Sequence, residues 1–212
     1  MAGTLVIVGA GGHGRVCADV AKAAGFEVVG FRDAAMTPGQ SLNGIEIIGA
    51  DFADLMALEG SGRPQIFVAI GDNERRLALL DEAEGLGLSC ATLVHPSAVL
   101  SPSCQIGEGT VVAAGAIVNA NAQIGRGCIL NTACSIDHDG KLSAGVQICP
   151  GALAAGGVIF GEQAFVGTGA SIIPNISIGA RAVVAAGAVV TSDVADDENV
   201  AGVPAKTILH TA

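Results

Sequence analysis

Leu130-Asn131-Thr132-Ala133-Cys134-Ser135-Ile136-Asp137-His138-Asp139-Gly140-Lys141-Leu142-Ser143-Ala144-Gly145-Val146-Gln147-Ile148 sets a large aliphatic residue at every sixth position. Backwards the series reaches Ile124, Val118, Val112, Ile106 and Leu100. Forwards it passes Ala154, Phe160, Val166, Ile172, Ile178 and Val184 to Val190, and only Ala154 is small. Two places before each member stands a mostly small residue, among them Thr110, Ala116, Ala122, Cys128, Cys134 and Gly140; Val146, Val158 and Ile176 are exceptions. Neither a helix nor a simple strand has this period. A chain that turns a corner every six residues, three corners to a coil, does. The large residue fills the axis of a triangular prism, and the small one lets the backbone turn beside it. This predicts a left-handed parallel β-helix of about five coils across residues 96–194, closed by a C-terminal segment, 195–212.

Residues 1–95 follow a different rule. Leu5–Val8 reads as a buried strand, and Gly9-Ala10-Gly11-Gly12-His13-Gly14 as a glycine turn. Val16, Val20 and Ala24 then recur at helical spacing. Further strands are expected at Glu27–Phe31, Ile45–Ile48, Ile66–Ile70 and Ala91–Val94, with a second helix over Glu74–Gly85. Strands alternating with helices predict a small α/β domain, a half-Rossmann-like unit with a parallel sheet.

Composition narrows the function. A net charge of −10 argues against a nucleic-acid partner, which needs clustered Lys and Arg. No apolar run is long enough to span a membrane, and no leader precedes the first strand, so a cytoplasmic protein is expected. The six cysteines form no CxxC pair and read as small buried hydrophobes.

Two places carry candidate chemistry. Gly9, Gly11 and Gly14 match GxGxxG between a strand and a helix, the context for a phosphate at a helix N-terminus. Asp33 ends the second strand, where a carboxylate could meet a ribose or base. The alternative is a tight turn with no ligand. The domain is short for a dinucleotide, so a mononucleotide such as UDP fits better. In the solenoid, His138 stands between Asp137 and Asp139, two residues beyond the axial Ile136, hence at a corner or on the outer surface. One coil away lie Ala120 and Gly156, which leave open space above and below the imidazole. A neutral imidazole beside a carboxylate suits a general base; the alternative is a surface histidine hydrogen-bonded to its neighbours. Of the other histidines, His13 is placed to bind phosphate or sugar or to cap the helix, His95 to mark the linker turn, and His210 to lie solvated in the tail. A three-histidine zinc site is not expected, because only His138 lies within the coils.

Gly9–Gly14 with Val16–Lys22, Ala69-Ile70-Gly71-Asp72-Asn73-Glu74, Ile129–Thr132, Ile136–Asp139 and Gly202-Val203-Pro204-Ala205-Lys206 together resemble the NeuD/PglD-type sugar acetyltransferases. The likeness is strongest to the UDP-4-amino-sugar acetyltransferases of bacillosamine synthesis. It implies a homotrimer with active sites between subunits, and acetyl-CoA as co-substrate with no metal. A UDP-linked amino sugar would contact Gly11, Gly12, His13, Asp33 and Gly71. His138 would be the base, with Asp139 raising its basicity. Coenzyme A would contact Gln147, Gly156, Thr168 and Ala186. Relatives commonly carry histidine at the position of Gln147 and a second acid at that of Ala34. Two other functions fit the same sequence: O-acetylation of a sialic-acid-like sugar, and a non-enzymatic scaffolding trimer.

Overall fold

The computed structural model describes residues 3–52 and 64–208, in two compact units, Met1–Pro96 and Ser97–Ala212.

The first unit is built on β1 (Thr4–Val8), α1 (Gly12–Ala23), β2 (Glu27–Arg32), β3 (Ser41–Leu42), β4 (Ile45–Gly49), β5 (Gln65–Val68) and α2 (Asn73–Gly85). Its sheet runs β3-β4-β2-β1-β5. Strands β4, β2, β1 and β5 are parallel. Leu5, Val6 and Ile7 are fully buried in β1, which lies between β2 and β5, and this explains their unbroken apolar run. The β3–β4 pair is an antiparallel hairpin that sequence patterning does not anticipate. Asn43 and Gly44 turn it at φ 50° and 76°, the left-handed pair that a two-residue hairpin loop requires.

Other elements differ in detail. Helix α1 buries Gly14, Cys17, Ala18, Val20 and Ala21, whereas Val16 is 43% exposed. Of the expected Val16, Val20 and Ala24 only Val20 is buried, because small residues at 14, 17, 18 and 21 let that side of the helix lie close to the sheet. Strand β5 stops at Val68, short of the expected Ile70. Over Ala91–Val94 only Leu93–Val94 is extended as a strand. Helix α2 starts at Asn73, one residue earlier than expected, because Asp72 caps it by accepting a 2.8 Å bond from Arg75 N–H.

The second unit is the expected solenoid. Two-residue strands pair in parallel at eighteen-residue steps, as in Ile117↔Ser135, Ser135↔Leu153 and Leu153↔Ser171. The second residue of each pair points inward. Val112, Val118, Leu130, Ile136, Phe160 and Val184 are all fully buried on the axis. Ala116, Ala122, Cys134, Ala152 and Ala164, two places earlier, are buried as well. Leu100 and Ile106 are only half-buried, since they form the open first coil.

Glycine directly after an axial residue answers a close approach between coils. A Cβ on Gly125 would meet the Ser143 backbone carbon at 2.7 Å. Beyond the last regular coil, Asn199–Ala201 pairs with Val183–Val184. The chain then reverses through Gly202–Ala205 into Lys206–Thr207. His210 lies outside the described residues.

Candidate active site

In the α/β unit, the glycine turn sorts its glycines by job. Gly9 takes φ 102°, and a side chain there would strike Ile70 and the Ala69 carbonyl. A Cβ on Gly14 would lie 2.0 Å from the Gly9 carbonyl oxygen. Gly11 and Gly12, by contrast, have nothing within 4 Å of where a Cβ would stand. The first pair makes the turn, and the second leaves the N-terminus of α1 open to a ligand, with no side chain capping it.

Asp33 ties this turn to β2. Its Oδ2 accepts from Ala10 N–H at 2.8 Å and its Oδ1 from Ala35 N–H at 2.8 Å. Beside it opens a cavity of about 420 Å³, lined by Gly9, Arg32, Asp33, Ala34, Ile70 and Arg75 among others. Arg32 lies with its guanidinium carbon 4.1 Å above the Phe52 ring, and it bonds the Ala50 carbonyl. Burial and the Arg76 guanidinium push the His13 pKa down to about 4, so His13 is neutral near pH 7 and offers hydrogen bonds rather than positive charge. Its Nε2 lies 3.5 Å from Cys17 Sγ.

Arg76 itself has no counterpart among the expected site residues. It is buried and donates to the Ile70 carbonyl at 2.9 Å, the Gly71 carbonyl at 3.3 Å and Asn73 Oδ1 at 2.7 Å, which fixes the loop that carries Gly71.

In the solenoid, His138 stands exposed at a corner, its side chain 61% accessible. Its Nδ1 lies 2.7 Å from Asp139 Oδ2, and a carboxylate can only accept, so Nδ1 carries the proton and Nε2 the lone pair. Asp137 Oδ1 accepts from His138 N–H at 2.8 Å. The hydrogen bond to Asp139, and then the Asp137 charge, raise the His138 pKa above 6.5. The same contacts lower Asp137 and Asp139, which stay ionised.

The expected open space beside the imidazole is occupied on one side by the ring itself. A Cβ on Gly156, one coil later, would lie 2.5 Å from His138 Cε1 and Nε2. Gly156 is therefore the seat of the ring.

Of the residues expected to contact coenzyme A, Gln147, Thr168 and Ala186 lie away from the His138 corner. Thr168 and Ala186 lie exposed, eighteen residues apart on a different corner, where Gly187 N–H bonds the Thr168 carbonyl at 2.9 Å. Gln147 lies on the flat face leading into that corner. Its Nε2 is 3.6 Å from Cys149 Sγ, and its Oε1 is buried without a donor among the described residues. Cys17, Cys128, Cys134 and Cys149 are buried, as expected, while Cys90 and Cys104 are half-buried. Among the described residues, no helix is long and apolar enough to cross a membrane.

The two units, a hexapeptide-repeat solenoid and an α/β domain, are those of solved sugar acetyltransferases that match nearly the whole length of the chain. Residues 4–83 match the family model described as the PglD N-terminal domain. The chain is 42% identical to a histidine-to-asparagine variant of perosamine N-acetyltransferase from Caulobacter crescentus, solved with CoA and GDP-perosamine. That match covers 97% of each chain with a TM-score of 0.92. It is 40% identical to the acetyltransferase domain of PglB from Neisseria gonorrhoeae FA1090 in complex with acetyl coenzyme A, over 97% of this chain and 98% of that one, with a TM-score of 0.91. A curated relative, the GDP-perosamine N-acetyltransferase of Escherichia coli O157:H7, is 29% identical over 141 residues, 65% of this chain and 62% of the relative's length. The chain belongs to the NeuD/PglD-type family of sugar acetyltransferases.

Proposed function

We propose that this protein transfers the acetyl group of acetyl-CoA to the 4-amino group of a nucleotide-linked amino-deoxy sugar, with His138 as general base. The observation that carries this reading is the exposed His138 ring, held by Asp139 through Nδ1 so that its Nε2 lone pair lies over Gly156. Nε2 takes a proton from the amine as the nitrogen attacks the thioester carbonyl. When the resulting tetrahedral adduct collapses, the C–S bond breaks and the imidazolium returns the proton to the departing CoA thiolate. Asp137 and Asp139 stabilise the imidazolium between these steps. The relatives' names support N- rather than O-acetylation.

The sequence suggests UDP as the nucleotide, in a bacillosamine-type sugar. The perosamine relatives favour GDP instead. Both rest on the same site: residues 1–95 hold the nucleotide sugar through Gly11, Gly12, His13, Asp33 and Gly71. The open N-terminus of α1 and the cavity beside Asp33 support this. Residues 96–194 carry catalysis and 195–212 close the solenoid. Acetyl-CoA lies against Gln147, Gly156, Thr168 and Ala186, in a cytoplasmic reaction.

His138 and Thr168 lie on different corners of one chain. A site holding both needs a second copy, which supports a homotrimer with active sites between subunits. Val99, Ile117 and Leu153, exposed on one solenoid face, are apolar surface for that contact.

Thiol release from acetyl-CoA, measured against GDP- and UDP-linked 4-amino sugars, tests the proposal. Release with one of them, and a product heavier by one acetyl group on nitrogen, is expected. No release above thioester hydrolysis with either would overturn it.

A further inference from the structure

The coil below His138 holds two asparagines that the reaction does not touch. Asn119 and Asn121 lie eighteen residues before Asp137 and Asp139, one register step down the solenoid. Asn119 Nδ2 donates to Asp137 Oδ1 at 2.9 Å, the same oxygen that accepts from His138 N–H. Asn121 Nδ2 donates to Asp139 Oδ1 at 3.3 Å, leaving Oδ2 to His138 Nδ1. Asn121 is itself held from the coil below, where Ser103 Oγ accepts from its backbone N–H at 3.0 Å.

We propose that Asn119 and Asn121 are positioning residues, which fix the two carboxylates flanking His138 and so aim its ring across Gly156. The inference rests on the reading of His138 as the base. A carboxylate at an exposed corner rotates among several orientations, and only one presents Oδ2 to Nδ1. A donor on the other oxygen selects that orientation before substrate arrives. Both asparagine bonds also favour the ionised aspartates, ranking second among the causes that lower each carboxyl group. The charged groups at this corner are Asp137, Asp139 and, next along the chain, Lys141. The coils on either side put uncharged Ala120 and Gly156 at the level of His138.

Asn121 also has a local reason to be asparagine, since its φ of 58° lies in the left-handed region where asparagine and glycine are favoured. Asn121→Gly separates the two roles: it keeps the corner and deletes the amide.

In the full-length protein, Asn121→Gly should melt within about 2 °C of wild type. Its turnover should fall about tenfold, the scale of one hydrogen bond to a charged group, with both Michaelis constants unchanged. The His138 ring resonances should titrate at lower pH than in wild type. The double variant Asn121→Gly/Asp139→Asn should be no slower than Asp139→Asn alone, because the amide acts only through that carboxylate. Asn119→Ala should lower turnover in the same direction through Asp137. Wild-type turnover and an unmoved His138 titration in Asn121→Gly would overturn the proposal, as would additive losses in the double variant. If His138→Ala proves active, the base assignment fails. The His138 titration in Asn121→Gly would still decide whether Asn121 orients the pair.

Discussion

The imidazole of His138 rests on Gly156, where a methyl group would stand 2.5 Å from both Cε1 and Nε2. Only that side chain is in the way, so Gly156→Ala should fold normally while the ring is pushed off its seat. We expect a melting temperature within about 2 °C of wild type and a turnover at least tenfold lower. Circular dichroism and the thiol-release rate check both halves. A fully active, fully folded Gly156→Ala would contradict the seating of the ring.

The pH profile follows from the same corner. A base works in its neutral form, and Asp139 and Asp137 hold the His138 pKa above 6.5. Turnover in wild type should therefore rise with pH along an acidic limb centred above 6.5. Asp139→Asn removes the hydrogen-bonded charge, the largest cause of the rise. Its limb should move to lower pH, with a lower plateau. Rate profiles of the two proteins, measured at saturating substrates, check the direction. A limb that stays put or moves up would separate it from His138.

The register of the solenoid predicts a sharp contrast. Val112 is fully buried on the axis, and Ala114, two residues on, is only half-buried. Val112→Asp should cost more than about 3 kcal/mol, since it buries an unpaired charge. Ala114→Asp should stay within about 1 kcal/mol. Denaturant unfolding of the two variants would show the gap, and equal tolerance would break the six-residue register.

The glycine turn should divide in the same way. Gly14→Ala drives a methyl group into the Gly9 carbonyl and should destabilise the α/β unit by about 2–3 kcal/mol. Gly12→Val places its Cβ where nothing lies within 4 Å, so it should fold normally yet weaken nucleotide-sugar affinity tenfold or more, on the order expected from blocking a phosphate at a helix N-terminus. Calorimetric titration with GDP and UDP separates the two effects.

Much of this was legible in the sequence. The period of six placed Val112, Leu130 and Ile136 on the axis, and from Ile136 it put His138 at a corner or on the outer surface. A fixed repeat makes register a matter of counting. What counting misses is the direction of side chains. Gly156 reads as open space, because spacing shows the absence of bulk but not that the His138 ring turns into it. Asn119 and Asn121 were within reach, since stepping back eighteen residues from each aspartate finds a matching donor. Helix α1 was harder: Val16 is the larger residue, but the close packing of Cys17 and Ala21 decides which face turns inward. Arg76 gave no signal, because an arginine is ordinarily exposed and here its own loop carbonyls surround it.

The most direct test of the account is the turnover of His138→Ala with acetyl-CoA and the nucleotide-linked 4-amino sugar that wild type acetylates. At neutral pH it should fall by roughly 10²–10⁴-fold, the usual contribution of a positioned base, while affinity for the nucleotide sugar changes little. The residual rate should climb steeply with pH as the amine loses its own proton to solvent. Near-wild-type turnover at neutral pH would show that His138 is not the base and that the Asp137-His138-Asp139 corner serves some other purpose.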